Sequence, residues 1–367
     1  MAVIPQATEA PKAASPDWGS ELHHLSCVVH LHSTYSDGTA TVAELIEQGK
    51  EAGRDVVLLT DHDTVGAKRD GWEGWHDSLL LGVGVEVSPR TGHYLAFGLD
   101  EEIEHEGVPE HELPGAVTKA GGFGFVAHPF SMGSQWLPRF GRKHGWTDLD
   151  RDDIAGIELW SLTTDIAESW QNGREAIRYM RAPERQLDGP PPHHLEEWDR
   201  LCRRRRVAAI GGLDTHQHGF RILGRMFSPM PNVRYFRLLA TYALVPDAPS
   251  GDGEADLAAV YESLREGRCY IGVDGLAPAR GFDFRAAGPD GVAHMGSERP
   301  AGEWNLRVRT PAESRIVLLR SGVEIAADWG TELTCEVPEP GVYRAEARLP
   351  VDGREQRWIL SNPIYLR

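Results

Sequence analysis

Nine side chains of the kinds that bind divalent cations recur along this chain: His30, His32, Asp37, His62, Glu86, His93, His128, Asp214 and His216. Neutral imidazoles and carboxylates are what Zn2+, Mn2+ and Fe2+ accept as ligands. His30 and His32 are two residues apart, as are Asp214 and His216, so on a strand each pair projects from one face. Glu86 interrupts the apolar run GVGVEVS. A lone carboxylate buried there is costly unless it is paired or metal-bound, and a glutamate bridging two cations is the natural solution. A donor set this rich points to several metals and to hydrolysis by metal-activated water. Asp61 and Asp63 flank His62 in TDHD and are candidate catalytic residues, orienting ligands or moving a proton.

The elements that must carry these residues are short apolar runs bounded by Gly, Pro or polar residues: CVVHLHS, DVVLLTDHD, LLLGVGVEVS, HYLAFG, GFGFVAHP, IAGIELW and VAAIGGLDTH. The candidate ligands fall at or just after their ends. Helical patterns lie between several of them. TVAELIEQGKEAG has a capping box in Thr41 and Glu44 and a stop at Gly53, and PGAVTKAGG and HHLEEWDRLCRRR follow. Apolar runs alternating with helices predict parallel strands covered on the outside, an α/β barrel whose strand ends deliver the chemistry.

Residues 1–24 read as a flexible lead-in, 25–278 as the barrel, with an insertion at about 130–206, and 279–367 as a second domain. In this last stretch alternating runs such as WNLRVRT, SRIVLLR, TELTCEV and VYRAEARL are broken by turn signals, with Asp352-Gly353 marking a hairpin. That pattern predicts an antiparallel β-sandwich.

The formal net charge of −17 argues against a general polyanion-binding surface, and so against nucleic acid as a partner. The run Arg203–Arg206 reads as a solvated helix end. No apolar signal core or membrane-length stretch is present, and the cysteines (Cys27, Cys202, Cys269, Cys335) form no CxxC pair. A cytoplasmic protein with free thiols is expected. The remaining histidines, His144 and His194 among them, are assigned no chemistry; His218 lies nearer the ligand set.

With these motifs in place, the chain resembles the PHP (polymerase and histidinol phosphatase) superfamily of metal-dependent phosphoesterases. HLHSTYSDG resembles the opening motif, TDHD the second, AHP the third and GGLDTH the fourth, usually GSDxH; GVEVS and HYLAFG match the positions that supply Glu and His ligands. The C-terminal region, ending in SNPIYL, resembles the β-domain of the CehA/McbA-type metallohydrolase branch. The resemblance implies a distorted seven-stranded (β/α) barrel with a C-terminal antiparallel β-sandwich and three divalent metal ions (Zn, Mn or Fe). The first ion would be held by His30, His32, Glu86 and Asp214, the second by Glu86, His93 and His128, the third by Asp37, His62 and His216. It implies cleavage of an anionic small-molecule phosphoester, monoester or diester, by a hydroxide bridging the first two ions. Two alternatives stand beside it. The same site could hydrolyse a carbamate, ester or amide, or the metals could only staple a binding protein, although structural metal sites are normally closed.

Overall fold

The computed structural model describes residues 17–136, 143–217, 219–222 and 225–367. The first strand, β1 (His23–Val29), runs parallel to β2 (Val56–Leu59), with Cys27 opposite Val56. Between them lies α1 (Val42–Glu51). Its capping box is formed as the sequence predicts: the Glu44 amide donates to the Thr41 hydroxyl and the Glu44 carboxylate accepts from the Thr41 amide. Gly53 (φ 69°) takes the left-handed conformation that ends the helix.

β2 pairs in parallel with β3 (Leu79–Val83), which bends at Gly84 into β4 (Val85–Val87). A Cβ at Gly84 would meet the Ala96 carbonyl at 2.6 Å, so only glycine lets the strand turn here. β4 pairs with β5 (Tyr94–Phe97) and β5 with β6 (Phe123–Val126). Both pairings are antiparallel, against the expected all-parallel order. For β4 and β5 the reason is length: residues 88–93 are too few for a crossover, which takes a dozen or more.

Parallel pairing resumes from β6 to β7 (Gly156–Ser161) and from β7 to β8 (Ala208–Gly212). The end of β8 returns to the first strand through hydrogen bonds from the Leu213 amide to the Val29 carbonyl (2.9 Å) and from Asp214 to His30 (2.7 Å). The pairings therefore run round a ring. Its filling includes Cys27, Val29, Leu58, Leu95, Phe125 and Ile210, all nearly inaccessible, while Val28, Val57 and Leu59 cluster with Val42, Leu45 and Ile46 of α1. Burial on both faces is why these strands read as unbroken apolar runs.

β7 falls inside the stretch expected to be an insertion, so the extra chain lies on either side of it. Ahead is the loop after β6. Behind are α2 (Leu162–Ser169), α3 (Gly173–Arg181) and α4 (Pro192–Arg204).

After the ring, β9 (Ala240–Val245) pairs antiparallel with β1, and β10 (Cys269–Gly272) with β9. The β-rich C-terminal region then continues this sheet. β11 (Asp283–Gly288), β12 (Trp304–Arg320), β13 (Val323–Val337), β14 (Gly341–Val351) and β15 (Arg354–Ser361) are antiparallel neighbours, and β15 pairs back onto β10, with Tyr270 opposite Ser361. Asp352 (φ 48°) and Gly353 (φ 79°) form the tight turn expected of Asp-Gly. This region has its own apolar core around Phe282, Phe284, Trp304 and Trp358, and the core includes Tyr242 of β9 and Tyr270 of β10. Among the described residues no helix is long and apolar enough to cross a membrane, and all four cysteines are free.

Candidate metal centre

The ring's strand ends bring the nine predicted residues together: five histidines touch Glu86, and Asp214, His216 and Asp37 join through them. Glu86 is fully buried on β4. Its Oε2 lies 3.3 Å from Nε2 of His30 and of His32, and 3.2 Å from Nδ1 of His62. Its Oε1 lies 2.8 Å from His93 Nδ1 and 3.1 Å from His128 Nε2. Asp214 Oδ1 closes the first group at 3.4 Å from His30 Nε2 and 3.5 Å from His32 Nε2. Two ligand atoms each ~2.1 Å from one tetrahedral ion sit ~3.4 Å apart, the spacing seen here.

A second group comprises His32, Asp37, His62 and His216, with Asp37 Oδ1 at 3.2 Å from His216 Nε2 and 3.8 Å from His62 Nε2. A third comprises His62, Glu86 and His93. The expected partition put His62 only with Asp37 and His216; the structure sets it between that group and Glu86. His128 meets Glu86 on the side of His93.

The chemistry of these atoms asks for cations. His30 Nε2, both ring nitrogens of His32, His128 Nδ1 and Glu86 Oε2 are buried without a hydrogen-bond partner among the described residues. Buried polar atoms left unpaired carry a large desolvation penalty. Burial works against a charged His32, but Asp214 and Glu86 outweigh it and push its pKa up to about 9. Burial also opposes a charged His30, and Glu158, Glu86 and Asp214 hold it well above the usual value. Glu86 and Asp214 are held well below the carboxylate range: burial raises them, and the surrounding imidazoles, His30 first, reverse the effect. Asp37 falls to about 2, because His216, His62 and His32 overcome its partial burial. The pocket is one in which positive charge, as protons or metal, is strongly favoured.

The backbone is bent to make this possible. His30 (φ 63°), His128 (φ 28°) and Asp214 (φ 50°) all adopt left-handed conformations unfavourable for side-chain-bearing residues. Such strain concentrates at functional sites.

Glu158, on β7, was missed from sequence. It is almost fully buried, accepts the His128 amide on Oε2 (2.8 Å) and meets His30 Nδ1 with Oε1 (2.8 Å). A carboxylate there accepts a hydrogen bond from Nδ1–H, fixes the proton on that nitrogen and leaves His30 Nε2 as the free lone pair. The signal was available: a lone glutamate in the apolar run IELWS, the same anomaly that singled out Glu86. Ser88 does the corresponding work at His62. Its hydroxyl donates to the Glu86 carbonyl (2.9 Å) and lies 2.7 Å from His62 Nδ1. Thr164 donates to Asp214 Oδ2. His144, given no role from sequence, packs its ring 4.3 Å from that of His93, and burial first, then the neighbouring His93 and His128, lowers it to about 4.

Asp61 is buried and accepts from the Ser33 amide (2.7 Å) and from the hydroxyls of Ser33 (2.6 Å) and Ser36 (2.5 Å). It thereby fixes the loop that presents Asp37. Asp63 accepts from the Ser88 amide (2.8 Å) and contacts His105 Nε2 (2.8 Å). His218, which lay nearest the ligand set of the other histidines, falls outside the described residues.

No protein-family model matches the chain, and no curated protein matches it. Among solved structures, it is similar to a two-domain Bacteroides vulgatus protein described as containing a predicted PHP-like metal-dependent phosphoesterase (15% identity, 96% of this chain and 99% of the other, TM-score 0.45). It is also similar to a protein from Bifidobacterium adolescentis described as a metal-dependent phosphoesterase (19%, 55% and 92%, 0.34) and to an amidohydrolase from Chromobacterium violaceum (16%, 56% and 92%, 0.25). All three TM-scores lie below 0.5, and the chemistry of the centre is read from its ligand atoms.

Proposed function

We propose that the chain is a metal-dependent hydrolase of the PHP type that cleaves a phosphomonoester or phosphodiester. The observation that carries this reading is the cage of orphaned ring nitrogens and carboxylate oxygens about 3.4 Å apart around Glu86. The ring of strands supports a distorted seven-stranded barrel, and residues 279–367 an appended β-sandwich. His30, His32, Glu86 and Asp214 would hold one ion, Glu86, His93 and His128 a second, and Asp37, His62 and His216 a third. Divalent ions bound there supply Lewis-acid chemistry, ionising water near neutral pH and drawing charge from a phosphoryl oxygen.

The protein's own groups prepare that chemistry. Glu158 and Ser88 hold the Nδ1 protons of His30 and His62, so each ring offers its Nε2 lone pair. Asp61 is proposed to act by orientation, keeping the Ser33–Ser36 loop in place. Asp63 would order the Ser88 side of His62 and, through His105, could take up a proton at the rim.

One observation favours acyl rather than phosphoryl substrates. A cavity of about 970 Å3 that meets His62 through Ser88, and is lined by none of the candidate ligands, carries Glu101, Glu102, Glu104, Glu106 and Glu110 against Arg90 and His105, with Arg69 paired to Glu101 and Glu102 from outside the lining. Such a wall repels a polyanion and tolerates a neutral carbamate, ester or amide. Metal analysis followed by assays on p-nitrophenyl phosphate, bis-p-nitrophenyl phosphate and 1-naphthyl carbamates decides between the two. Metal-loaded protein that turns over none of these, and whose behaviour is indifferent to chelators, would refute both.

A further inference from the structure

A separate cavity of about 760 Å3 lies between α3, the turn Pro183–Gln186 and the β14–β15 hairpin. None of the candidate metal ligands lines it. Five arginines do: Arg174, Arg178, Arg181, Arg185 and Arg354. The first three are spaced four and three apart, so they share one face of α3, where like charges destabilise the helix. Only two acids face them, Asp188 and Asp352. Arg185 reaches Asp352 at 3.9 Å, and Arg178 donates to the Gln186 amide oxygen at 3.3 Å. The side chains of Arg174, Arg181 and Arg354 have no carboxylate partner among the described residues. In a chain of net charge −17, with acids available nearly everywhere, that concentration of unpaired guanidinium is distinctive.

A second, independent feature lies in the same wall. Gln356 is 7% exposed. Its Nε2 donates to the Arg185 carbonyl (3.1 Å), which fixes the amide's orientation, while its Oε1 is buried with no partner. An orphaned acceptor of this kind calls for a donor from a ligand. Between the charges, Ile177 exposes 48% of its surface and offers an apolar contact.

We propose that this cavity binds a phosphorylated sugar, free or as part of a nucleotide. Guanidinium forks match phosphate oxygens bidentately. A sugar hydroxyl would satisfy Gln356 Oε1, and the ring's carbon face would cover Ile177. The volume falls in the range of small-molecule pockets, about 300–1,000 Å3. The site does not depend on the hydrolase reading.

Calorimetric titration of the full-length, metal-loaded protein with ribose 5-phosphate, ADP and inorganic pyrophosphate tests it. Arg178→Ser/Arg181→Ser should weaken all three by about tenfold or more, with circular dichroism unchanged. Gln356→Met should weaken the two sugar-bearing probes and spare pyrophosphate. Glu86→Ala, which disables the metal centre, should leave binding at the cavity intact. Tighter binding of ADP than of ribose 5-phosphate would assign a nucleotide, and the reverse a free sugar phosphate. Equal affinity in wild type and the arginine variant, binding abolished only by Glu86→Ala, or no heat from any probe at about 1 mM would each overturn the proposal.

Discussion

Gly212 and Glu158 compete for one volume: a Cβ added to Gly212 would overlap Glu158 Oε1 and come within 3.0 Å of the His30 Cβ. The bare Cα of Gly212, two residues before Asp214, therefore leaves the space in which the carboxylate steadying His30 and His128 sits. Glu158→Gln keeps the shape but cannot accept from both donors. Metal affinity should fall about 10–100-fold, read by competition with a chromophoric chelator. Gly212→Ala should produce a loss of the same order by displacing the carboxylate. Unchanged affinity in both variants would remove Glu158 from the centre.

Glu86 touches His30, His32, His62, His93 and His128. Its replacement by alanine should abolish turnover and most bound metal together, measured by elemental analysis on protein whose circular dichroism is native. A well-folded Glu86→Ala variant with full activity would end the proposed mechanism.

The pH dependence follows from His32, whose pKa rises from 6.5 to about 9 in the metal-free fold. A raised value means that its ion pairing stabilises the metal-free fold fully below pH 6.5, and that this contribution fades as pH climbs through about 9. Metal needs the neutral ring, so at pH 7 each binding event must expel a proton. Titration in buffers of different ionisation enthalpy should show net proton release, with apparent affinity increasing from pH 6 to about 9. Proton-neutral binding at pH 7 would contradict the charge state assigned to His32.

Arg344 on β14 pairs with Asp199 of α4 through two bonds (2.7 and 2.8 Å) and with Glu346 at 2.7 Å, all three nearly inaccessible. This network pins the added helix to the C-terminal sheet. Arg344→Ala would leave the buried Asp199 carboxylate uncompensated, while Glu346 keeps Arg348 and Arg357, and should cost about 3–5 kcal/mol, seen as a lower denaturation midpoint. A replacement that left the midpoint unchanged would show the network to be dispensable.

Much of the frame was legible because its signals are local. The capping box of Thr41 and Glu44, the Asp352-Gly353 turn and the apolar strands each depend on neighbours in sequence. His30, His32 and Asp214 stand out by their place at the ends of apolar runs. They lie past the strands, however, and the left-handed turns at His30 and Asp214, not strand periodicity, set how they meet. What escaped depends on partners far along the chain. The bend between β3 and β4 at Gly84 is forced by the Ala96 carbonyl packed against it, twelve residues away. Arg205, inside a run read as solvated, instead donates to the Leu149 and Ile154 carbonyls and ties down the segment before β7. Nothing in the local sequence of Arg205 distinguishes it from Arg203, whose guanidinium stays near the surface.

The pairing of β15 with β10 also decides how this polypeptide can be divided. Severing it near residue 279 would strip hydrogen-bonding partners from Tyr270, Ile271 and Gly272 and bare a sticky margin, the kind of surface that templates aggregation. The tail acts as a selvedge for the half that carries the candidate metal centre, and fragments lacking it should be recovered as inclusion bodies.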